Sequence, residues 1–170
     1  MKTEIMLALY RYLKKDFSEE NQLKQIQMLR TILEINQDVV RKGISQIEDH
    51  EPDIISFPML GKGLKLVREG QEPQVIETIL INTAFANDVD LLESLLVLEG
   101  VSSIQMLRSA DVTKELLLSY FSFSMQDHLR RNLLDLQLDF SQPLNKNELS
   151  EILKGIKKGK SWFEETKPDS

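Results

Sequence analysis

The sequence predicts an all-α protein, a compact bundle of about six to eight short helices with no transmembrane segment. Apolar residues recur at helical spacing along nearly the whole chain, and no sustained two-residue alternation appears. The five prolines and seven glycines lie mostly between these amphipathic segments, at positions where helices start and end. A length of 170 residues is sufficient to bury a core without disulfides or metal.

The first two predicted helices meet at Ser18. An amphipathic helix should precede it and end near Phe17, with four apolar residues on one face: Ile5, Leu9, Tyr12 and Leu13. Ser18 is a good cap for the second helix because acids follow it in the first turn, where the helix dipole favours them. That helix should point seven apolar residues toward a core: Leu23, Ile26, Leu29, Ile32, Leu33, Ile35 and Val39.

Because of Gly43, the sequence allows two alternatives for the end of the second helix. Glycine costs a helix interior about 1 kcal/mol relative to alanine, so the helix either continues past Gly43 to Ile47 or bends there. We expect the segment His50-Glu51-Pro52 to end it, because a residue before proline disfavours helical torsions.

The third and fourth helices are marked by proline and glycine. Pro58 should begin the third helix, where a missing amide proton does no harm, and Gly70 should end it with a positive φ. Pro73 should begin the fourth helix. The apolar residues of the fourth helix are Val75, Ile76, Ile79 and Leu80.

Asn87-Asp88 should open a fifth helix that runs through Leu91, Leu92, Leu95 and Leu96. Further helices are expected over residues 111–121 and 127–138, and Asn145 with Glu148 resembles a capping box for a last helix before a loose tail. The weakest point is Ser141-Gln142-Pro143, which divides a helical domain, residues 1–140, from a C-terminal extension, residues 141–170.

Residues 57–80 and 91–121 each carry an apolar stripe, so we expect them to pack together as one helical unit. Burial of each leucine-sized side chain favours this by about 1.5–3 kcal/mol. The predicted core residues of this unit are Leu64, Val67, Ile76, Ile79, Leu95, Leu98 and Ile104.

Composition argues against several classes of function. A net charge of −6 does not favour a nucleic-acid-binding protein, which usually has a basic face. The absence of cysteine excludes disulfides, a thiol nucleophile and cysteine-ligated metal. The most apolar run is broken at Asn82 and closed by Asn87 and Asp88, well short of the ~20 residues that a membrane helix needs.

Catalytic motifs do not stand out, and we expect no enzyme activity, no cofactor and no metal site. His50 and His128 are far apart in sequence and are interpreted as solvent-exposed residues at helix ends. Gly61-Lys62-Gly63 is too short for a phosphate-binding loop and follows no predicted strand.

Two stretches carry a family resemblance. FPMLGKGLKLVREGQEPQVIETIL, residues 57–80, and LLESLLVLEGVSSIQ, residues 91–105, resemble the cytoplasmic parts of MotA-type flagellar stator subunits, with patterns such as "FLRRGLQLVVDG" and "EGVLSI". Residues 7–70 follow the family's first cytoplasmic region, so the resemblance covers roughly two thirds of the chain. The membrane helices that separate the two regions in the family are missing. Either the chain is a natural membrane-free relative, or a linker near residues 82–90 replaces the membrane hairpin in an engineered deletion.

The resemblance implies a stator-like protein of the cytoplasm, at the inner face of the membrane near the flagellar motor, that contacts the rotor protein FliG or another motor component. GISQIE laid on the family pattern "GLLALE" places Glu48 on the family's rotor-contacting glutamate. Val40 takes the place of the family's basic residue, and Arg41 follows it directly. The implied partner-binding residues are Arg41, Lys42, Glu48 and Asp49. On residue chemistry alone, these charges also fit an ordinary solvated helix face.

Other interpretations remain open. The alternative function is a soluble all-helical adaptor or scaffold unrelated to motility, which an exposed apolar patch would mark. A homo-oligomer is compatible with either function. The C-terminal patch of Lys154, Lys157, Lys158 and Trp162 provides at most peripheral contact with anionic lipid, and it equally fits a solvated helix end whose lysines complement the helix dipole.

Overall fold

The computed structural model describes residues 19–131, and all regular secondary structure in that range is helical, which confirms the all-α fold class for this part of the chain. The elements in order are α1 Glu19–Lys42, a 3-10 helix Ile44–His50, α2 Glu51–Ile54, α3 Pro58–Arg68, α4 Pro73–Ala86, α5 Leu91–Gln105, α6 Ala110–Leu118 and α7 Phe123–Leu129. The predicted helices before Ser18 and after Asn145, the boundary at Ser141 and the tail lie outside the described residues. Within residues 19–131, no helix combines the length and apolar character needed to cross a membrane.

Helix α3 begins and ends as its sequence predicts. Pro58 occupies its first turn, and Gly70 follows its end with a φ of 72°. The amide of Gly70 donates to the carbonyl of Val67 at 3.0 Å, and the amide of Gln71 donates to the carbonyl of Leu66 at 3.1 Å. This pair of hydrogen bonds is a Schellman motif, which needs a residue that accepts a positive φ.

Helix α5 begins later than predicted. Asn87 is the C-terminal cap of α4, and Asp88 has a φ of 48°, so neither residue opens the next helix. The carboxylate of Asp90 instead accepts a hydrogen bond from the amide of Glu93 at 3.1 Å, which makes Asp90 the cap. The following helix also has boundaries other than those predicted, since α6 ends at Leu118.

Helix α5 lies at the centre of the packing, because α1, α3, α4 and α6 all pack against it. A β-carbon at Gly100 would lie 2.6 Å from Cγ2 of Ile32 on α1. A β-carbon at Gly63 of α3 would likewise lie 2.7 Å from Cγ2 of Val101. Both glycines therefore permit close approach of helices. The predicted packing of residues 57–80 against residues 91–121 is confirmed as far as Tyr120, where the first compact unit ends.

The predicted core is partly correct. Leu64, Val67, Ile76 and Ile104 are buried, whereas Ile79, Leu95 and Leu98 are only half-buried. Helix α5 is apolar on most of its circumference, so its sequence does not define which side faces inward. The buried residues of α5 include Leu92, Leu96, Val97 and Val101 instead.

An ion pair and a hydrogen bond also join α1 to the start of α5. Nζ of Lys24 lies 2.8 Å from Oε2 of Glu93, whose side chain is 10% exposed. Nε2 of Gln25 donates to Oδ1 of Asp90 at 3.1 Å. The long α1 is thus held by both apolar packing and paired polar groups near its N-terminal end.

The chain divides into two compact units between Tyr120 and Phe121. Helices α1 to α6 belong to the first unit. In the second unit, Ser122 caps α7 by accepting a hydrogen bond from the amide of Met125 at 3.4 Å. This helix begins at Phe123, four residues before the predicted Asp127, because the serine hydroxyl satisfies an amide there.

Candidate functional site

The charged segment of residues 41–49 is interrupted at Gly43. Helix α1 ends at Lys42, and Gly43 has φ 102° and ψ 169°, a combination that is essentially restricted to glycine. The following residues form the 3-10 helix, whose Ile47 is buried in the core. Of the two alternatives, continuation of the helix past Gly43 to Ile47 is therefore wrong, and the bend at Gly43 is correct.

Proline does not end the helical conformation at His50-Glu51-Pro52, contrary to the prediction. The 3-10 helix ends at His50, and a turn of α-helix, α2, begins immediately at Glu51. Glu51 adopts helical torsions, φ −50° and ψ −42°, although it precedes proline. Pro52 lies in the first turn of α2, where a helix does not use its missing amide.

All four residues implied as partner-binding are exposed: Arg41, Lys42, Glu48 and Asp49. Arg41 and Lys42 lie in the last turn of α1, where the helix dipole favours positive charge. Nζ of Lys42 lies 3.5 Å from Oδ1 of Asp38. Among the described residues, Arg41 and Asp49 have no hydrogen-bond or ion-pair partner, so their charges face solvent.

The carboxylate of Glu48 is paired within the chain. The guanidinium of Arg68, on α3, forms an ion pair and hydrogen bond with Oε1 of Glu48. The same guanidinium lies 3.6 Å from Oε1 of Glu51. Arg68 therefore compensates the charge of the glutamate to which the resemblance assigns a rotor contact.

His50 is not the exposed helix-end residue that was expected. Its side chain is 13% exposed, with Nε2 at 3.0 Å from Oδ2 of Asp38 and Nδ1 at 3.6 Å from Oδ2 of Asp53. The imidazole therefore bridges α1 and α2 across the end of the 3-10 helix. His128 is placed on α7, and its side chain lies outside the described atoms.

Glu34, one turn before Asp38 on α1, carries a further carboxylate. Burial raises the pKa of Glu34 above its ordinary value, and the nearby charge of Asp53 acts in the same direction. A hydrogen bond and ion pair from Arg30, whose Nε lies 2.8 Å from Oε1 of Glu34, partly oppose this rise in pKa. The imidazole of His50 thus lies between one carboxylate of α1, Asp38, and one of α2, Asp53.

An apolar cleft of about 500 Å³ opens beside the charged segment, between α3 and the pair formed by the 3-10 helix and α2. Ile55 lines this cleft, and 80% of its surface is exposed. A β-carbon at Gly61 would lie 3.0 Å from Cγ2 of Ile54, so a larger residue at 61 would crowd the cleft wall. The lining residues are Ile47, Glu51, Pro52, Ile54, Ile55, Pro58, Gly61, Leu64, Lys65 and Arg68.

Sequence reasoning missed this cleft, although a signal was present. The segment between Pro52 and Pro58, which lies between two predicted helices, contains the consecutive apolar pair Ile54-Ile55. One isoleucine fills the core, and the other remains exposed because two successive residues on a helical turn face different directions.

The arrangement combines exposed charges of both signs with an apolar recess, which are the ingredients of a protein-binding surface. Within residues 19–131, no group of three or more histidine, aspartate or glutamate side chains is positioned to share a metal ion. The lysines and tryptophan of the C-terminal patch, Lys154, Lys157, Lys158 and Trp162, lie outside the described residues. Comparison of the chain with protein-family models, with curated proteins and with solved structures finds no match.

Proposed function

We propose that this protein is a stator-like component of the flagellar motor that binds the rotor protein FliG through the exposed charged residues at the end of α1 and on the 3-10 helix. The proposal includes a location at the inner face of the membrane near the motor. The observation that carries it is the exposure of Arg41, Lys42, Glu48 and Asp49 on one short stretch that resembles the rotor-contacting segment of stator subunits.

The charges of this segment suit a contact that must form quickly and in one orientation. Charges of both signs on an exposed surface steer association and fix register more than they add affinity. The Arg68 ion pair holds Glu48 near α3, and the buried Ile47 anchors the 3-10 helix, so the segment is presented on a rigid support. A binding role is proposed rather than catalysis, since Arg41, Lys42, Glu48 and Asp49 are all exposed to solvent.

The unpaired charges provide the sharpest test of rotor binding. Reversing both Arg41→Glu and Asp49→Lys leaves the net charge unchanged and breaks no ion pair among the described residues. We expect this variant to bind the C-terminal domain of FliG at least tenfold more weakly at low salt, by isothermal titration calorimetry. The difference should shrink as salt rises, because exposed charges are screened over about 10 Å at 0.1 M ionic strength.

The matched control is the variant Lys62→Glu with Glu77→Lys, which also preserves net charge and changes two exposed residues outside the segment. Its affinity for FliG should equal that of the wild type. The variant Glu48→Lys provides a second comparison. It removes the ion pair with Arg68 in addition to any rotor contact of Glu48. Equal affinities of the wild type and the Arg41/Asp49 variant would refute the proposal.

The alternative, an all-helical adaptor unrelated to motility, is supported by the apolar cleft beside the exposed Ile55. An exposed aliphatic residue next to a recess is the kind of surface that binds the apolar face of a partner helix. Absence of binding to FliG, together with binding of another helical partner through Ile55, would favour the adaptor function.

A further inference from the structure

We propose that the imidazole of His50 is a pH-sensitive link between α1 and α2. Its protonated form attracts one carboxylate of each helix, Asp38 on α1 and Asp53 on α2, whereas its neutral form no longer attracts the carboxylate of α2. Asp38 precedes the bend at Gly43, and His50 and Asp53 follow it, so the proton of one side chain sets how firmly the bend is closed. This regulation does not rest on the proposed rotor contact.

The placement of the two ring nitrogens carries the proposal. Nε2 of His50 lies 3.0 Å from Oδ2 of Asp38, and Nδ1 lies 3.6 Å from Oδ2 of Asp53. Each nitrogen therefore faces a carboxylate of a different helix. The side chain of His50 is only 13% exposed, so water screens these contacts less than it screens ion pairs on the open surface.

The two protonation states of an imidazole fit this geometry differently. The imidazolium carries a proton on both nitrogens and a positive charge, so it attracts both carboxylates. The neutral ring carries one proton, and its other nitrogen turns a lone pair toward a carboxylate. We expect the remaining proton to stay on Nε2, because the contact with Asp38 is the shorter one. Histidine ordinarily changes charge between about pH 5 and 8, so the contact with α2 weakens within this range.

Asp53 depends on His50 more than Asp38 does. Nζ of Lys42 lies 3.5 Å from Oδ1 of Asp38, so Asp38 keeps a cation beside it when His50 loses its proton. Among the described residues, the carboxylate of Asp53 has no ion-pair or hydrogen-bond partner except His50. Neutralisation of His50 therefore leaves the carboxylate of α2 without a counter-charge.

Glu34 is a second titratable group near the link. It lies on α1, and Nε of Arg30 is 2.8 Å from its Oε1. Burial raises the pKa of Glu34, and the charges of Asp53 and His50 act on this pKa in opposite directions. Titration of Glu34 is therefore an independent source of pH dependence. The other nearby charged side chains, on the end of α1, the 3-10 helix, α2 and α3, are Arg68 paired with Glu48 and Glu51, Lys65 paired with Glu69, and the exposed Arg41 and Asp49.

Apolar contacts hold α2 in place in both protonation states. Ile47, Ile54 and Phe57 are all buried on this side of the bend. Loss of the proton from His50 therefore loosens the connection between α1 and α2 without unfolding the chain, and the expected change in stability is small.

The effect of Asp53→Asn at two pH values tests the link in the full 170-residue chain. The variant should lower the midpoint of thermal unfolding by about 2 °C at about pH 5.5, where histidine is mostly protonated, and by less than half as much at about pH 8. Asparagine keeps the size of the side chain, and Asp53 is 57% exposed, so the variant folds. In the background of His50→Gln, the effect of Asp53→Asn should be equal at the two pH values.

The matched control is Asp111→Asn on α6. Oδ1 of Asp111 lies 3.6 Å from Nζ of Lys114, the same distance and sequence separation as in the pair of His50 and Asp53. Lysine stays protonated at both pH values, so Asp111→Asn should change the midpoint equally at each. An equal loss from Asp53→Asn at both pH values would overturn the proposal, as would a pH-dependent loss that persists without His50.

The variant Glu34→Gln separates the second titratable group from the link. The pH-dependent effect of Asp53→Asn should persist in this background. Its disappearance would assign the pH dependence to Glu34 and contradict a role for the proton of His50.

Nuclear magnetic resonance of the imidazole nitrogens provides a check that changes no residue of the link. His128→Gln leaves His50 as the only histidine in the chain. At about pH 8 the remaining proton should reside on Nε2. A proton on Nδ1 would show that the contact with Asp53 survives neutralisation, which the proposal does not allow.

Discussion

The contact between α1 and α5 and the junction from Gly43 to Phe57 use the same residue type for different reasons. At the helix contact, Gly100 is required because any side chain would meet Ile32. At the junction, a β-carbon on Gly43 would have nothing within 4 Å, and glycine is required because of its backbone torsions. Packing thus requires glycine in the first region, whereas backbone torsions require it in the second.

Ion pairs differ between the two regions in the same way. Lys24 and Glu93 join α1 to α5 through a carboxylate that is 10% exposed, whereas the Glu48 side chain that pairs with Arg68 is 60% exposed. A charge that is hidden from water depends on its partner, while an exposed charge is solvated with or without one. The helix contact should therefore contribute more to stability than the junction does.

The largest effect is expected at the helix contact. Gly100→Ala should lower the free energy of unfolding toward the upper end of about 1–3 kcal/mol, because its β-carbon would overlap Ile32. Urea denaturation measures this change. In the double variant with Ile32→Ala, part of the loss should be recovered relative to the sum of the single variants. An increase in stability, as helix propensity alone predicts for glycine to alanine, would contradict close packing here.

A smaller loss is expected at the junction. Gly43→Ala should cost about 1–2 kcal/mol, because alanine does not adopt a φ of 102° without strain. Thermal unfolding followed by circular dichroism measures this cost. Ser45→Ala, at an exposed position of the same segment, should leave the midpoint unchanged. If Gly43→Ala matched that control, the bend would not depend on glycine.

The two ion pairs allow a direct comparison of the regions. Lys24→Met should destabilise the protein by about 1 kcal/mol more than Arg68→Met, because it leaves the mostly buried Glu93 carboxylate without its partner. Arg68→Met should cost about 0–1 kcal/mol, as exposed ion pairs usually do. Urea denaturation at neutral pH measures both losses of stability. Equal losses would show that the two pairs are solvated alike.

An effect that depends on pH is expected for Tyr120, whose hydroxyl donates to Oε2 of Glu99 at 3.2 Å. Burial, with the charge of Glu99 and this hydrogen bond, raises the pKa of Tyr120 to about 12 from its ordinary value of 10.0. Between these two pKa values the phenol of Tyr120 is deprotonated in the unfolded chain but still protonated in the folded protein. The free energy of unfolding therefore falls as pH rises. Tyr120→Phe should cost about 1 kcal/mol at pH 7 through loss of the hydrogen bond.

The pH series provides the check on this tyrosine. The stability difference between wild type and Tyr120→Phe should shrink between pH 10 and 12, because only the wild type loses this contribution. Comparison of the two proteins at each pH cancels the titration of the lysines. A difference that stays constant up to pH 12 would show that the phenol is not perturbed.

Local sequence signals predicted much of the fold correctly. Pro58 and Gly70 bound α3, and Pro73 starts α4, because these residues act through their own torsions and hydrogen bonds. Most of the apolar stripe of α1 is also correct, since Ile26, Leu29, Ile32, Leu33, Ile35 and Val39 are all buried. The start of α5 was misplaced because several residues between Asn87 and Asp90 are good caps, and only the formed helix selects one.

The sequence by itself determined the helical class, the bounds of α3, the start of α4 and the exposure of Arg41, Lys42, Glu48 and Asp49, because periodicity, capping and charge act over a few residues. Only the tertiary structure decided which face of the apolar α5 is buried and that Gly43 breaks the helix. It also brought Arg68 to Glu48 and placed α2 against α3 to form the cleft. The physical reason is that these features join residues distant along the chain, and no local pattern encodes which of them meet.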